Sequence, residues 1–357
     1  RKSANRKDTW RMVADRAMKH AIDDLALLAR AHDSVPLIGT AVVGAGYFGS
    51  LHALCYSRLA GSRLQALVDP DPMTQSLAEH LGVPWFSHVA DIPSTVRAVS
   101  VATPVATHYA LAKALLQRGL DVLLEKPIAE TAAQAAELRI LAEAKWCVLQ
   151  IGHIERFNPA FAAGPALLSR ARTVNTVRTT QRPPRISALD VVIDLMIHDL
   201  DLILYGAVSP LVELQASGCS HGLTLIDEAQ VELIFANGCR AHLSAHWGSA
   251  TRQEARRMIA ELDNNETWVM DFRHRVAYRT VPGGMIPGSS SRSVSNPGNP
   301  ALDYPAQGVQ HDTLSLQLTS FLNASRRRAV PQVTPEDGHA ALDLAQQIRH
   351  QILGSMR

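Results

Sequence analysis

LIGTAVVGAGYFG, residues Leu37 to Gly49, decides how this chain folds. Its apolar run reads as a buried strand, the glycines that follow as a tight turn, and the residues after them as the start of a helix. In GAGYFG, Gly44 permits the turn, Gly46 lets the backbone approach a diphosphate, and Gly49 lets the helix pack closely on the strand; Tyr47 and Phe48 complete the loop. A helix N-terminus placed there presents backbone N–H groups and the positive end of its dipole to an anion. Twenty residues past Gly49, Asp69 ends a second strand, LQALVDPDP from Leu64. That carboxylate is placed to accept hydrogen bonds from ribose hydroxyls and would repel a 2′-phosphate, so the expected cofactor is NAD rather than NADP.

The pattern continues outward. AVSVATP from Ala98 is another strand, ending in Thr103 and Pro104; ALAKALLQRG is a helix closed by Gly119; DVLLEKP is the next strand; TAAQAAELRILAEAKW from Thr131 is a helix, followed by the strand CVLQIGH. Short apolar strands alternating with helices predict a parallel sheet covered on both faces. From about Thr173 the runs TVNTVRTTQ, PLVELQASGCS, EAQVELIFANG, CRAHLSAHWGS, RRMIAELDN and ETWVMDFR read as strands, with Asn237-Gly238 as one turn. They predict a mostly antiparallel, open sheet. The expected class is α/β, with a helical extension over 1–35, a dinucleotide domain over 36–152, an α/β substrate and oligomerisation domain over 153–330, and a C-terminal helix over 331–357. Pro282 to Gly308, rich in Gly, Ser, Pro and Asn, reads as a loop.

Bulk properties narrow the classes. A formal charge of +2 argues against a nucleic-acid binder that relies on a basic face. No apolar run is long enough to span a bilayer. The cysteines Cys55, Cys147, Cys219 and Cys239 lack CxxC spacing, so neither a zinc site nor a disulfide framework is expected, and reduced thiols in a cytoplasmic protein are the simple reading.

Two features carry chemistry. Lys126, after the strand DVLLEKP, sits where open α/β sheets place ligands, at the C-terminal end of a parallel strand. It is there to polarise a carbonyl oxygen or share a proton; the alternative is a surface lysine. The second is Val191 to Leu204, apolar on nearly every side yet carrying Asp194, His198 and Asp201, spaced four and three apart and so expected on one face. A buried carboxylate and imidazole are costly unless paired or used. Asp194 would fix the tautomer of His198 and raise its basicity, which suits removing a proton from an alcohol as its carbon gives up hydride. A satisfied core hydrogen bond is the competing reading; half of a metal site is disfavoured, with no HExxH and no third ligand nearby.

GAGYFG, the TPVATH stretch from Thr103 to His108, the EKP of Glu125 to Pro127 and the DxxxH of Asp194 and His198 resemble the glucose–fructose oxidoreductase/inositol dehydrogenase (Gfo/Idh/MocA) family, from about residue 37 to the C-terminus. The resemblance implies a Rossmann domain, a second α/β domain whose open sheet mediates homodimer or homotetramer formation, Lys126 and His198 as acid–base candidates with Asp194 in support, and Thr103, Pro104, His108 and Glu125 on the nicotinamide side. QIGHIERFNPA and DVVIDLMIHDLDL are similar to the UDP-N-acetylglucosamine 3-dehydrogenases within it. That narrower likeness implies a UDP-sugar substrate near Arg156 and Asn158, an arginine suiting a diphosphate. It also implies a 3-keto-sugar aminotransferase as pathway partner for 3-amino lipid A. Asn158 before Pro159 has a plainer alternative as a helix-start cap. Rival substrates are UDP-sugar acids, inositols, free sugars and biliverdin; a non-catalytic NAD-binding sensor is the rival from another class.

Overall fold

A computed structural model describes residues 36–181, 189–220, 225–248, 254–280 and 312–356. The expected N-terminal helix and the Pro282–Gly308 loop lie outside the described residues. The described chain forms two compact units, one of 36–154 with 312–339 and one of 155–280 with 340–356.

The first unit is a six-stranded parallel sheet. Its strands are β1 (Ile38–Val43), β2 (Ser62–Val68), β3 (Trp85–Phe86), β4 (Ala98–Val101), β5 (Asp121–Leu124) and β6 (Leu149–Ile151), in the order β3-β2-β1-β4-β5-β6. That is the doubly wound order whose direction reverses between β1 and β4, the place where such sheets bind dinucleotides. The helices are α1 (Tyr47–Tyr56), α2 (Gln75–Leu81), α3 (Val105–Gln117) and α4 (Ala132–Ala144). α4 opens on a capping box in which Thr131 and Gln134 each satisfy the other's backbone N–H. β1, β4 and β5 are almost wholly buried, as strands covered on both faces must be.

One boundary differs from the expectation. α7 (Thr313–Arg327) belongs to the first unit, because Leu314, Leu318, Phe321 and Leu322 pack into the same core as Val42, Ala53, Tyr56 and Leu67. The join is also polar. Buried Asp121 accepts from Val148 N at 2.8 Å, Ser325 Oγ at 2.6 Å and Arg328 Nη1 at 2.6 Å.

In the second unit, α5 (Gly164–Leu168) precedes β7 (Ala171–Gln181). A five-residue π-helical turn (Val192–Met196) then leads into α6 (Ile197–Ala207). The strands β8 (Leu211–Cys219), β9 (Glu228–Phe235), β10 (Arg240–Gly248), β11 (Ala255–Leu262), β12 (Thr267–Asp271) and β13 (Val276–Thr280) complete a seven-stranded sheet ordered β13-β12-β11-β7-β10-β9-β8. Every pair is antiparallel except β7 with β10. Along β10, Ala241, Leu243 and Ala245 are buried while Arg240 and His242 are exposed, so one face is covered and the other is polar and accessible. β13 escapes the sequence reading because VAYRT is short and half polar. The last helix, α8 (Pro335–Ser355), contributes Arg349, which pairs with Asp190 at the start of the π-helical turn.

Asp121→Ala orphans the Val148 N–H and the Ser325 hydroxyl in the interior. It is expected to cost about 2–3 kcal/mol of first-unit stability. Urea unfolding measures it, and a midpoint equal to that of the wild type would contradict the role given to Asp121.

Candidate functional site

The loops GAGYFG, ATPVATH and EKP follow β1, β4 and β5 at the C-terminal edge of the parallel sheet. Gly44 has φ +89°, and a Cβ there would lie 2.7 Å from both the Ala102 carbonyl oxygen and Thr103 Cγ2. A methyl on Gly49 would overlap the Gly44 carbonyl oxygen. Gly46 faces open space, with nothing within 4 Å of its would-be Cβ, and it caps α1 without any side chain bonding to the helix's first N–H groups. Uncapped N–H groups beside an open glycine are what a pyrophosphate needs. Asp69 is fixed to this loop: its Oδ2 accepts from Ala45 N at 2.6 Å and its Oδ1 from Asp71 N at 2.9 Å. Each oxygen keeps a second lone pair for a ribose hydroxyl. With Asp71 next to it, the position is hostile to a 2′-phosphate. These residues therefore fit NAD. Tyr47 is 62% exposed at the mouth of the loop, and the Phe48 ring lies 5.3 Å from the His52 ring.

Around EKP the expected residues divide. Thr103 and Lys126 are half-buried and Pro104 is exposed, so all three are accessible; the Lys126–Pro127 peptide is cis. His108 is not a lining residue. It is buried, with Nδ1 2.8 Å from the Pro127 carbonyl and Nε2 2.9 Å from the Thr103 carbonyl, and so braces the TPVATH and EKP loops from behind. Burial holds its pKa below the ordinary value, against the pull of the two carbonyl oxygens. Glu125 is also buried. Its Oε1 lies 3.4 Å from His52 Nε2 and from Gln317 Nε2, its Oε2 takes the Lys126 N–H at 3.3 Å, and a Cβ at Gly152 would run into its carboxylate.

In the second unit, Asp194 and His198 are the only residues between Val191 and Ile203 that are not buried. Asp201, expected on the same face, is not with them: it is buried and paired with Arg156. Arg156 and Asn158 also depart from expectation. Arg156 Nε and Nη2 grip the two Asp201 oxygens at 2.8 and 2.7 Å, and its guanidinium stacks 3.7 Å from the Tyr205 ring centre. With its side chain 2% exposed, this guanidinium neutralises Asp201 rather than waiting for a diphosphate. Asn158 donates to Glu155 Oε2 and the Phe272 carbonyl while its Oδ1 caps Ala160 N, the plainer cap reading with two further bonds.

Sequence reasoning passed over His52, Gln317, Arg178, Asp199 and Glu155. Asp199 was detectable, since any carboxylate inside so apolar a helix demands a partner. Arg178 sits in an alternating strand where nothing marks it as buried, and Gln317 reaches Glu125 from 192 residues away in sequence.

The family model for Gfo/Idh/MocA, an oxidoreductase family with an NAD-binding Rossmann fold, matches residues 38–153. A UDP-N-acetylglucosamine 3-dehydrogenase from Acidithiobacillus ferrooxidans is 32% identical over 296 residues, 80% of this chain and 88% of that enzyme. A solved structure of the Acidithiobacillus ferrooxidans enzyme superposes with a TM-score of 0.77 at 28% identity, covering 90% of this chain and 99% of that one. Levoglucosan dehydrogenase, in complex with NADH and levoglucosan, shares the fold at a TM-score of 0.76 and 17% identity, over 89% of this chain and 97% of its own.

Gly49→Ala sets a methyl against the Gly44 carbonyl, an overpacking that costs about 1–3 kcal/mol and distorts the loop. NAD affinity, read by fluorescence titration, is expected to fall by roughly tenfold or more, since 1.4 kcal/mol is a factor of ten. An unchanged Kd would contradict the assignment of this loop.

Proposed function

The chain belongs to the Gfo/Idh/MocA family of NAD-binding oxidoreductases, and we propose that it oxidises the C3 hydroxyl of UDP-N-acetylglucosamine to the 3-keto sugar nucleotide. The observation that carries the substrate is the 32% identity to a UDP-N-acetylglucosamine 3-dehydrogenase across 80% of this chain, well beyond the dinucleotide unit.

In this reading bound NAD supplies the acceptor for the hydride that leaves C3. The residues manage the accompanying proton. His198, partly accessible beside the buried Asp199, accepts the proton of the C3 hydroxyl, and Asp194 supports it in that state. Lys126 stabilises negative charge on the C3 oxygen as the C–H bond breaks, or shares the proton, and the ketone forms as the electron pair departs. His108 keeps the loops that carry Thr103 and Lys126 in place. Arg156 and Asn158, engaged by Asp201, Glu155 and Phe272, hold the second unit together in this scheme and leave the UDP diphosphate to other groups.

The same reading includes a 3-keto-sugar aminotransferase that consumes the product on the way to 3-amino lipid A, a cytoplasmic location, and a homodimer or homotetramer formed through the accessible face of the seven-stranded sheet.

Alcohol oxidation by NAD is uphill near neutral pH, so the test couples it: NAD, UDP-N-acetylglucosamine, a 3-keto-sugar aminotransferase and glutamate. The expected result is NADH formation with a 3-amino sugar nucleotide by mass. Lys126→Ala should still bind NAD while its turnover falls by about 10²–10⁴-fold. Tight NAD binding without any turnover would discard this sugar, and an unchanged rate in Lys126→Ala would remove Lys126 from the mechanism.

A further inference from the structure

α6 begins directly after a π-helical turn, Val192–Met196. Such a turn does not hand on the α-helical phase. Something else must therefore fix how far α6 is rotated about its axis, and hence where His198 at its first turn points.

The two aspartates that flank His198 are gripped from separate elements. Asp199 is held by Arg178, with Nε to Oδ2 at 3.1 Å and Nη2 to Oδ1 at 2.8 Å, and the third arm of the same guanidinium reaches Glu155 Oε1 at 2.9 Å. Asp201 is held by both arms of Arg156. At about 100° per residue, Asp199 lies about 100° to one side of His198 and Asp201 about 60° to the other. A helix pinned on both sides cannot roll. The anchors are themselves fixed: Arg178 is on β7, between β10 and β11 in the sheet, and Arg156 follows Glu155, which is tied through Asn158 to the Phe272 carbonyl at the end of β12. All five charges are buried, two cations against three carboxylates, so none has water as an alternative partner.

We propose that Arg156 and Arg178 are positioning residues for His198: two bidentate guanidinium grips, one on each neighbouring aspartate, set the rotation of α6. Lysine keeps the charge but has no fork, so it cannot hold both carboxylate oxygens in one plane.

The proposal rests on the proton-accepting role of His198 given above, and its test has an arm that does not. In the coupled assay, at a temperature where circular dichroism shows the protein folded, Arg156→Lys and Arg178→Lys are expected to lower kcat roughly ten- to a hundredfold with NAD affinity unchanged. The same changes made in a His198→Asn background should have no further effect. A residue that merely supports the fold would lower the rate in both backgrounds, and that result overturns the proposal. If either lysine variant does not fold, Asp201→Asn takes its place in the same cycle. If the wild type does not turn over UDP-N-acetylglucosamine, the substrate reading fails and the proposal is decided by NMR of the His198 ring, assigned by its loss in His198→Asn. Arg156→Lys keeps the positive charge beside Asp201 but has no fork, so the His198 ring signals are expected to move as α6 turns. Ring signals identical to those of the wild type overturn the proposal.

Discussion

A carboxylate taken out of water must be given a cation or a set of N–H groups, and both units of this protein are organised around that demand. In the first unit Asp121 gathers Val148 N, Ser325 and Arg328, which binds α7 to the sheet although Ser325 and Arg328 lie 204 and 207 residues from Asp121 in sequence. In the second, Glu155, Asp199 and Asp201 face Arg156 and Arg178, and Asp190 caps Val192 and Ile193 N while pairing with Arg349 of α8. Apolar packing alone is tolerant of small slips in register. A buried bidentate pair is not, because a shift that breaks it leaves two desolvated charges.

That demand also separates charges that build the interior from charges that stay accessible. Asp199, Asp201, Glu155, Arg156 and Arg178 are buried and satisfied by one another. Asp194, His198 and Lys126 keep access to solvent while most of their neighbours do not. The Gly46 side of the dinucleotide loop is open, and no side chain caps the α1 N-terminus behind it.

Much of this was legible in the sequence because local patterning decides it. The strand, glycine loop, helix and Asp69 form one short-range unit, and Gly44 and Gly49 have the geometric reasons their spacing suggests, while Gly46 faces open space. Helix starts such as Thr131 with Gln134 follow from capping chemistry. What the sequence concealed is long-range. No local signal joins α7 to the first unit, or reveals that one face of VRTTQ carries a buried arginine. Helical spacing also leaves a difference hidden: it puts Asp194, His198 and Asp201 on one side, yet Asp201, about 60° from His198 around α6, is buried against Arg156. Arg156 suits a diphosphate by residue type, and only the fold shows that its guanidinium is paired with Asp201.

If the proposed reaction holds, the hydrogen at C3 of the sugar nucleotide leaves as hydride to NAD. UDP-N-acetylglucosamine deuterated at C3, incubated with the enzyme, NAD, the coupling aminotransferase and glutamate, reads this out. Deuterium is expected at C4 of the nicotinamide in the recovered NADH, with the 3-amino product lacking it. Recovery of unlabelled NADH, or of substrate with its deuterium intact while NAD remains bound, would contradict it.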